Sequence, residues 1–164
     1  MKTKSTSFRK LSCFIRRERG AALAELAILV PILVMLVAAV SEFGRFFQQY
    51  TTLAKSTRTA ARYLSNHSFP DNQDKARNLV VCGKLTCAGG DELVPGISTA
   101  NVCIESTGSP KIETVTVRLP RNADDGCATP FPYRPVFNIG ALLNTGVTFT
   151  PNVSPSVTMY YMLD

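Results

Sequence analysis

The chain has 164 residues, 45% of them apolar, and a formal net charge of +6. Seven Lys/Arg (Lys2, Lys4, Arg9, Lys10, Arg16, Arg17, Arg19) precede Gly20 and face one acid there, Glu18, so residues 1–20 carry the whole excess. From Ala21 onward eleven basic and eleven acidic side chains balance, which removes the electrostatic case for nucleic-acid binding by the folded part.

A basic stretch placed directly before an apolar run fits the positive-inside rule, with residues 1–20 in the cytoplasm and the remainder across the membrane. The run itself reads Ala-Ala-Leu-Ala-Glu from Ala21 and then stays apolar from Leu26 to Val40 except at Pro31. From Ala21 to Ser41 it matches the ~20 residues that a helix needs to cross a bilayer. A core helix of a soluble protein is the rival reading, and the flanking positive charges weigh against it. Pro31 frees a backbone carbonyl, which membrane helices tolerate when neighbours compensate. Glu25 is costly inside such a segment, and a charge there usually has a reason.

Helical spacing continues beyond the apolar run. Phe43, Phe46, Phe47, Tyr50, Ala54, Thr57, Ala61 and Leu64 recur every three or four residues, which predicts one shared face, and Lys55, Arg58 and Arg62 form a second stripe. A helix from about Ala21 to Leu64 would be roughly 65 Å long at ~1.5 Å per residue, stopping near Asn66 and Pro70. Asp71 is a predicted N-cap for a short helix, or lead-in to a strand, ending near Val81. Strands are predicted at 101–106, 113–119, 146–150 and 156–162. Thr114-Val-Thr-Val-Arg-Leu alternates polar and apolar, and Thr107-Gly-Ser-Pro is suited to a turn. The predicted fold class is α+β: a long N-terminal helix over 21–65, then a small antiparallel β-rich domain over 66–164.

Five cysteines are present. Cys13 lies in the cytoplasmic stretch. Cys82, Cys87, Cys103 and Cys127 lie on the exported side, where disulfides persist. Three pairings are possible. The short loop Gly83-Lys-Leu-Thr favours Cys82–Cys87, which leaves Cys103–Cys127. A zinc site is disfavoured, because no Cys-x-x-Cys occurs and His67 is the sole histidine. Asp91-Glu92 and Asp124-Asp125-Gly126 are acidic turns of the kind that calcium uses, but such turns are usually solvated loops. Asn66-His-Ser matches a glycosylation triplet that is common by chance. With no nucleophile elbow and no phosphate-binding glycine loop, the chain does not read as an enzyme, and no cofactor or metal is predicted.

Gly20, followed five residues on by Glu25 and then by a long apolar helix, resembles the class III signal peptide of type IV pilin-like proteins. The longer stretch Arg-Gly-Ala-Ala-Leu-Ala-Glu-Leu-Ala-Ile-Leu-Val-Pro-Ile-Leu, continuing to Ser-Glu-Phe-Gly-Arg-Phe and Thr-Arg-Thr-Ala-Ala-Arg-Tyr, is similar to the TadE-like family over residues 16–64. Those proteins are minor pilins or pseudopilins of the tight adherence (Flp pilus) apparatus. The resemblance implies a type IV pilin-like fold and a bacterial inner-membrane, single-pass protein with its C-terminal domain in the periplasm or carried on a surface pilus. It implies cleavage between Gly20 and Ala21 by a prepilin peptidase, and an assembly role for Glu25, whose carboxylate would meet the new amino group of a neighbouring subunit. The implied partners are the Flp major pilin, TadF-like and TadG-like proteins, and the inner-membrane assembly platform. Glu25-Leu26 and the sizeable domain differ from major Flp pilins, which are short and usually carry Glu-Tyr. The Asp-x-Ser-x-Ser motif of TadG-like proteins is absent, whereas a TadF-like identity stays open. Two rival readings are a bitopic adhesin or sensor that never joins a fibre, and a secreted protein cut after Ala39.

Overall fold

The structure, a computed structural model, describes residues 7–137 and 150–163, with side chains from Gly20 onward. It is α+β: one long helix, α1 (Ser7–Ser65), a short helix, α2 (Gln73–Cys82), and an antiparallel sheet of β1 (Cys103–Thr107), β2 (Thr114–Arg118) and β3 (Ser156–Tyr160) in the order β1-β2-β3. The helix starts within the basic stretch, earlier than the apolar periodicity marks, and Pro31 lies inside it. The predicted strand at 146–150 falls almost wholly on residues outside those described, as does the side chain of Cys13.

The chain forms two compact units, Met1–Ser41 and Glu42–Asp164. In the first, the apolar residues from Leu23 to Val40 are mostly exposed, and the helix is long and apolar enough to cross a membrane. Exposed Leu, Ile and Val in this density are unfavourable in water and favourable in lipid.

In the second unit the helix contributes Leu53, Ala60, Ala61 and Leu64 to the core, which they share with Leu79 and Val80 of α2 and Val115 and Val117 of β2. Ala60 and Ala61 let the packed elements approach closely, and each fully buried Leu or Val contributes about 1.5–3 kcal/mol. The buried stripe is Glu42, Leu53, Ser56, Thr57, Ala60, Ala61, Leu64 and Ser65, with Phe46 half-buried. Of the predicted face, Thr57, Ala61 and Leu64 are buried and Phe46 and Ala54 partly so, while Phe43, Phe47 and Tyr50 are exposed. Counting apolar residues alone leaves out Glu42, because the first buried member of the stripe is a carboxylate.

Asp71 lies in a 3-10 turn (Pro70–Asn72), and Asn72 takes the N-cap position of α2 without a capping hydrogen bond. The Asn72 amide oxygen instead accepts from the Tyr63 hydroxyl at 3.2 Å. Left-handed Gly83 ends α2 and returns its N–H to the Leu79 carbonyl at 3.1 Å. In the sheet, Ile104 faces Val117 and Val115 faces Met159, so the alternation in β2 turns its valines to the core. The β1–β2 turn needs Gly108, whose φ is +110° and whose missing Cβ would press on the Lys111 carbonyl oxygen. Cys82 is bonded to Cys87 and Cys103 to Cys127, with Cα separations of 6.0 and 5.6 Å.

Candidate functional site

Gly20, Ala21 and Glu25 lie in the first unit, all helical and all exposed. A Cβ added at Gly20 would meet nothing within 4 Å. Ala21 and Glu25 are four residues apart and therefore neighbours on one helix face. The segment thus presents a glycine, a small residue and a carboxylate together, with apolar side chains following.

A second carboxylate, which the sequence reading passed over, organises the start of the folded unit. Glu42 is 8% exposed. Its Oε1 accepts from the Tyr133 hydroxyl and from the Val136 N–H, the latter at 2.9 Å, and its Oε2 accepts from the Phe137 N–H at 3.4 Å. Tyr133 is placed by its own backbone: its N–H donates to the Pro151 carbonyl and the Val153 N–H donates to the Phe131 carbonyl, both at 2.9 Å. The Tyr133 ring meets Phe46 edge-on, with centroids 5.2 Å apart. Burial works against the Glu42 charge, but Tyr133, the two N–H donors and the field of Arg45 outweigh it, so its carboxyl is held below the ordinary value of 4.5. Burial and the Glu42 carboxylate push the Tyr133 phenol up to about 12. The result is a fixed anion with its donors satisfied, and a clamp between α1 and residues 133–137. The sequence signal was there: a glutamate directly after the apolar run, in step with Phe46 and Leu53 along the helix.

Several of the other acidic and metal-type residues are held by this chain's own groups. The sulfurs of Cys103 and Cys127 bond each other, and the nearby Glu105 carboxylate receives Arg118 at 2.8 Å, so this cluster is not arranged as a metal centre. Asp125 pairs with Arg118 at 3.3 Å and accepts from the Arg121 N–H at 2.9 Å. Asp91 pairs with Lys84 at 2.8 Å, and Glu92 accepts from the Gly96 N–H at 3.0 Å. His67 stacks on Tyr63 with centroids 4.0 Å apart, and Asn66 donates to the Arg62 carbonyl at 3.0 Å, as helix-end residues do. An open cleft of about 470 Å³ is lined by Asp74, Arg77, Asn78, Thr99, Ala100, Val102 and Cys127, and Asp74 and Arg77 pair with each other at 3.0 Å.

Residues 20–62 match the TadE-like protein family. The TadE-like segment begins at Gly20, holds both Glu25 and Glu42, and ends within the last turn of α1. It takes in none of α2 or the sheet. No curated protein and no solved structure matches the chain.

Proposed function

We propose that this protein is a minor pilin-like (pseudopilin) subunit that takes part in the assembly or initiation of a Flp-type tight adherence pilus. The observation that carries the reading is the TadE-like match starting at Gly20, with Glu25 five residues on, in a helix apolar enough for a membrane. On this reading residues 1–20 are a cytoplasmic leader, α1 spans the inner membrane once over about 21–41, and the remainder is periplasmic. A prepilin peptidase cuts between Gly20 and Ala21. The subunit then stays in the membrane until the assembly platform draws it among other pilin-like subunits.

Glu25 gives the assembly step its physical basis. A carboxylate in low dielectric is costly alone, and a neighbouring subunit's new Ala21 amino group removes that cost by pairing with it. Mass spectrometry of the mature N-terminus in the native host is the test. A chain starting at Ala21 is expected, and an intact leader or a start near Val40 would sink the reading. Gly20→Trp should leave the longer, unprocessed form.

A further inference from the structure

We propose that residues 134–137 form a second membrane contact, in which the Glu42 carboxylate holds Val136 and Phe137 in the lipid headgroup layer beside the point where α1 leaves the bilayer. The proposal rests on the reading that residues 21–41 span the membrane.

Glu42 is the residue that follows that span. The N–H groups of Val136 and Phe137 donate to its carboxylate at 2.9 and 3.4 Å, so both backbones lie within one side chain's reach of the span's end. The headgroup region adds roughly 5–8 Å on each side of the ~30 Å hydrocarbon core, a layer of comparable depth. Yet the two residues are 58% and 51% exposed, although Phe131 and Tyr133, just before them in the chain, are buried. Phe43 and Phe47, on the first turns of the helix after the span, are 65% and 58% exposed.

A single exposed apolar residue needs no explanation, but four large ones within reach of one chain exit do. Exposed Arg45 and Arg134 stand among them in sequence. Aromatic rings together with arginines are the side chains that settle at a bilayer interface, where the apolar body is covered and the cation meets phosphate. Another exposed apolar group, around Tyr160 and Met162, lies at the opposite end of this part of the helix: the Met162 N–H donates to the Ser65 carbonyl. From Glu42 to Ser65 is roughly 35 Å of helix at ~1.5 Å per residue, too far for one headgroup layer.

The chain has no tryptophan, so single-tryptophan variants of the full chain report depth without background. Phe137→Trp, Leu33→Trp and Tyr160→Trp would be reconstituted in phosphatidylethanolamine–phosphatidylglycerol vesicles whose lipids carry bromines at defined depths. The expected result is blue-shifted emission from Phe137→Trp with loss of intensity to shallow bromines. Leu33→Trp should be quenched by deep bromines and Tyr160→Trp by neither. Adding Glu42→Gln should weaken the quenching at Phe137→Trp. If Leu33→Trp is quenched and Phe137→Trp is not, the second contact is overturned while the membrane span stands. If Leu33→Trp also escapes quenching, the anchor reading falls and the proposal falls with it. Blue-shifted emission from Phe137→Trp that ignores bromines and rises with the protein-to-lipid ratio would assign the patch to a second copy of this chain and overturn the lipid assignment.

Discussion

Glu42 and Glu25 are both acidic residues on one helix, and their surroundings give them different work. Glu42 accepts three hydrogen bonds inside the folded unit, so Glu42→Gln should lower unfolding free energy by about 1–3 kcal/mol, read by denaturant titration of the full chain in detergent. A carboxyl held below its unfolded pKa contributes stability that is present above that unfolded value and lost as pH falls through the folded one. Stability should therefore decline below about pH 4.5, the ordinary carboxyl value, and Glu42→Gln should remove part of that decline. Tyr133 acts with the opposite sign. Its phenol, raised from 10.0 to about 12, contributes stability that is complete below pH 10 and lost as pH rises through about 12. Tyr133→Phe should flatten this alkaline limb, and a melting curve unchanged in slope at both ends would refute the account.

The elements were legible to different degrees. Periodicity located β2 and β3 because a half-buried strand writes its two faces into alternate residues. It placed Thr57, Ala61 and Leu64 on the buried face but not Glu42, since the choice between Phe43–Phe47 and Glu42–Phe46 in the first turns depends on what packs there. The cysteine pairing follows the one that loop length favours, and the fold brings Cys103 within 5.6 Å of Cys127 across 24 residues of sequence. Loop length then ranks the two bridges. Chain-entropy arguments give about 3.5 kcal/mol for closing a loop of this size and about 2 kcal/mol for a loop as short as that of Cys82–Cys87. Replacing both Cys103 and Cys127 with Ala should therefore lower the melting temperature more than replacing both Cys82 and Cys87. The reverse order would show that the local bridge holds α2 in a way that loop closure does not capture.

For the whole molecule, the division at Ser41 and Glu42 separates two kinds of stability. Residues in the first unit contribute little to the core of the second, so Glu25→Gln should leave the melting of the folded unit unchanged while blocking incorporation into pili. Glu42→Gln should lower the melting temperature while leaving the proposed cleavage after Gly20 unaffected. Thermal melts paired with immunoblots of sheared surface fractions would check both, and a Glu25→Gln variant that still assembles normally would remove the assembly role.

The sequence by itself determined the charge imbalance, the membrane-length apolar helix, the Gly20–Glu25 spacing and the α+β class. Each of these is a property of residue order along one element, and local physics reads it directly. Only the tertiary structure decided which residues along the helix are buried, and that Glu42 grips the Tyr133–Phe137 segment. The Glu42 contacts join residues ninety or more positions apart, and no spacing rule within a single element encodes them. A glutamate after an apolar run marks a membrane boundary in sequence. It becomes a clamp because Tyr133 and two backbone N–H groups are folded against it.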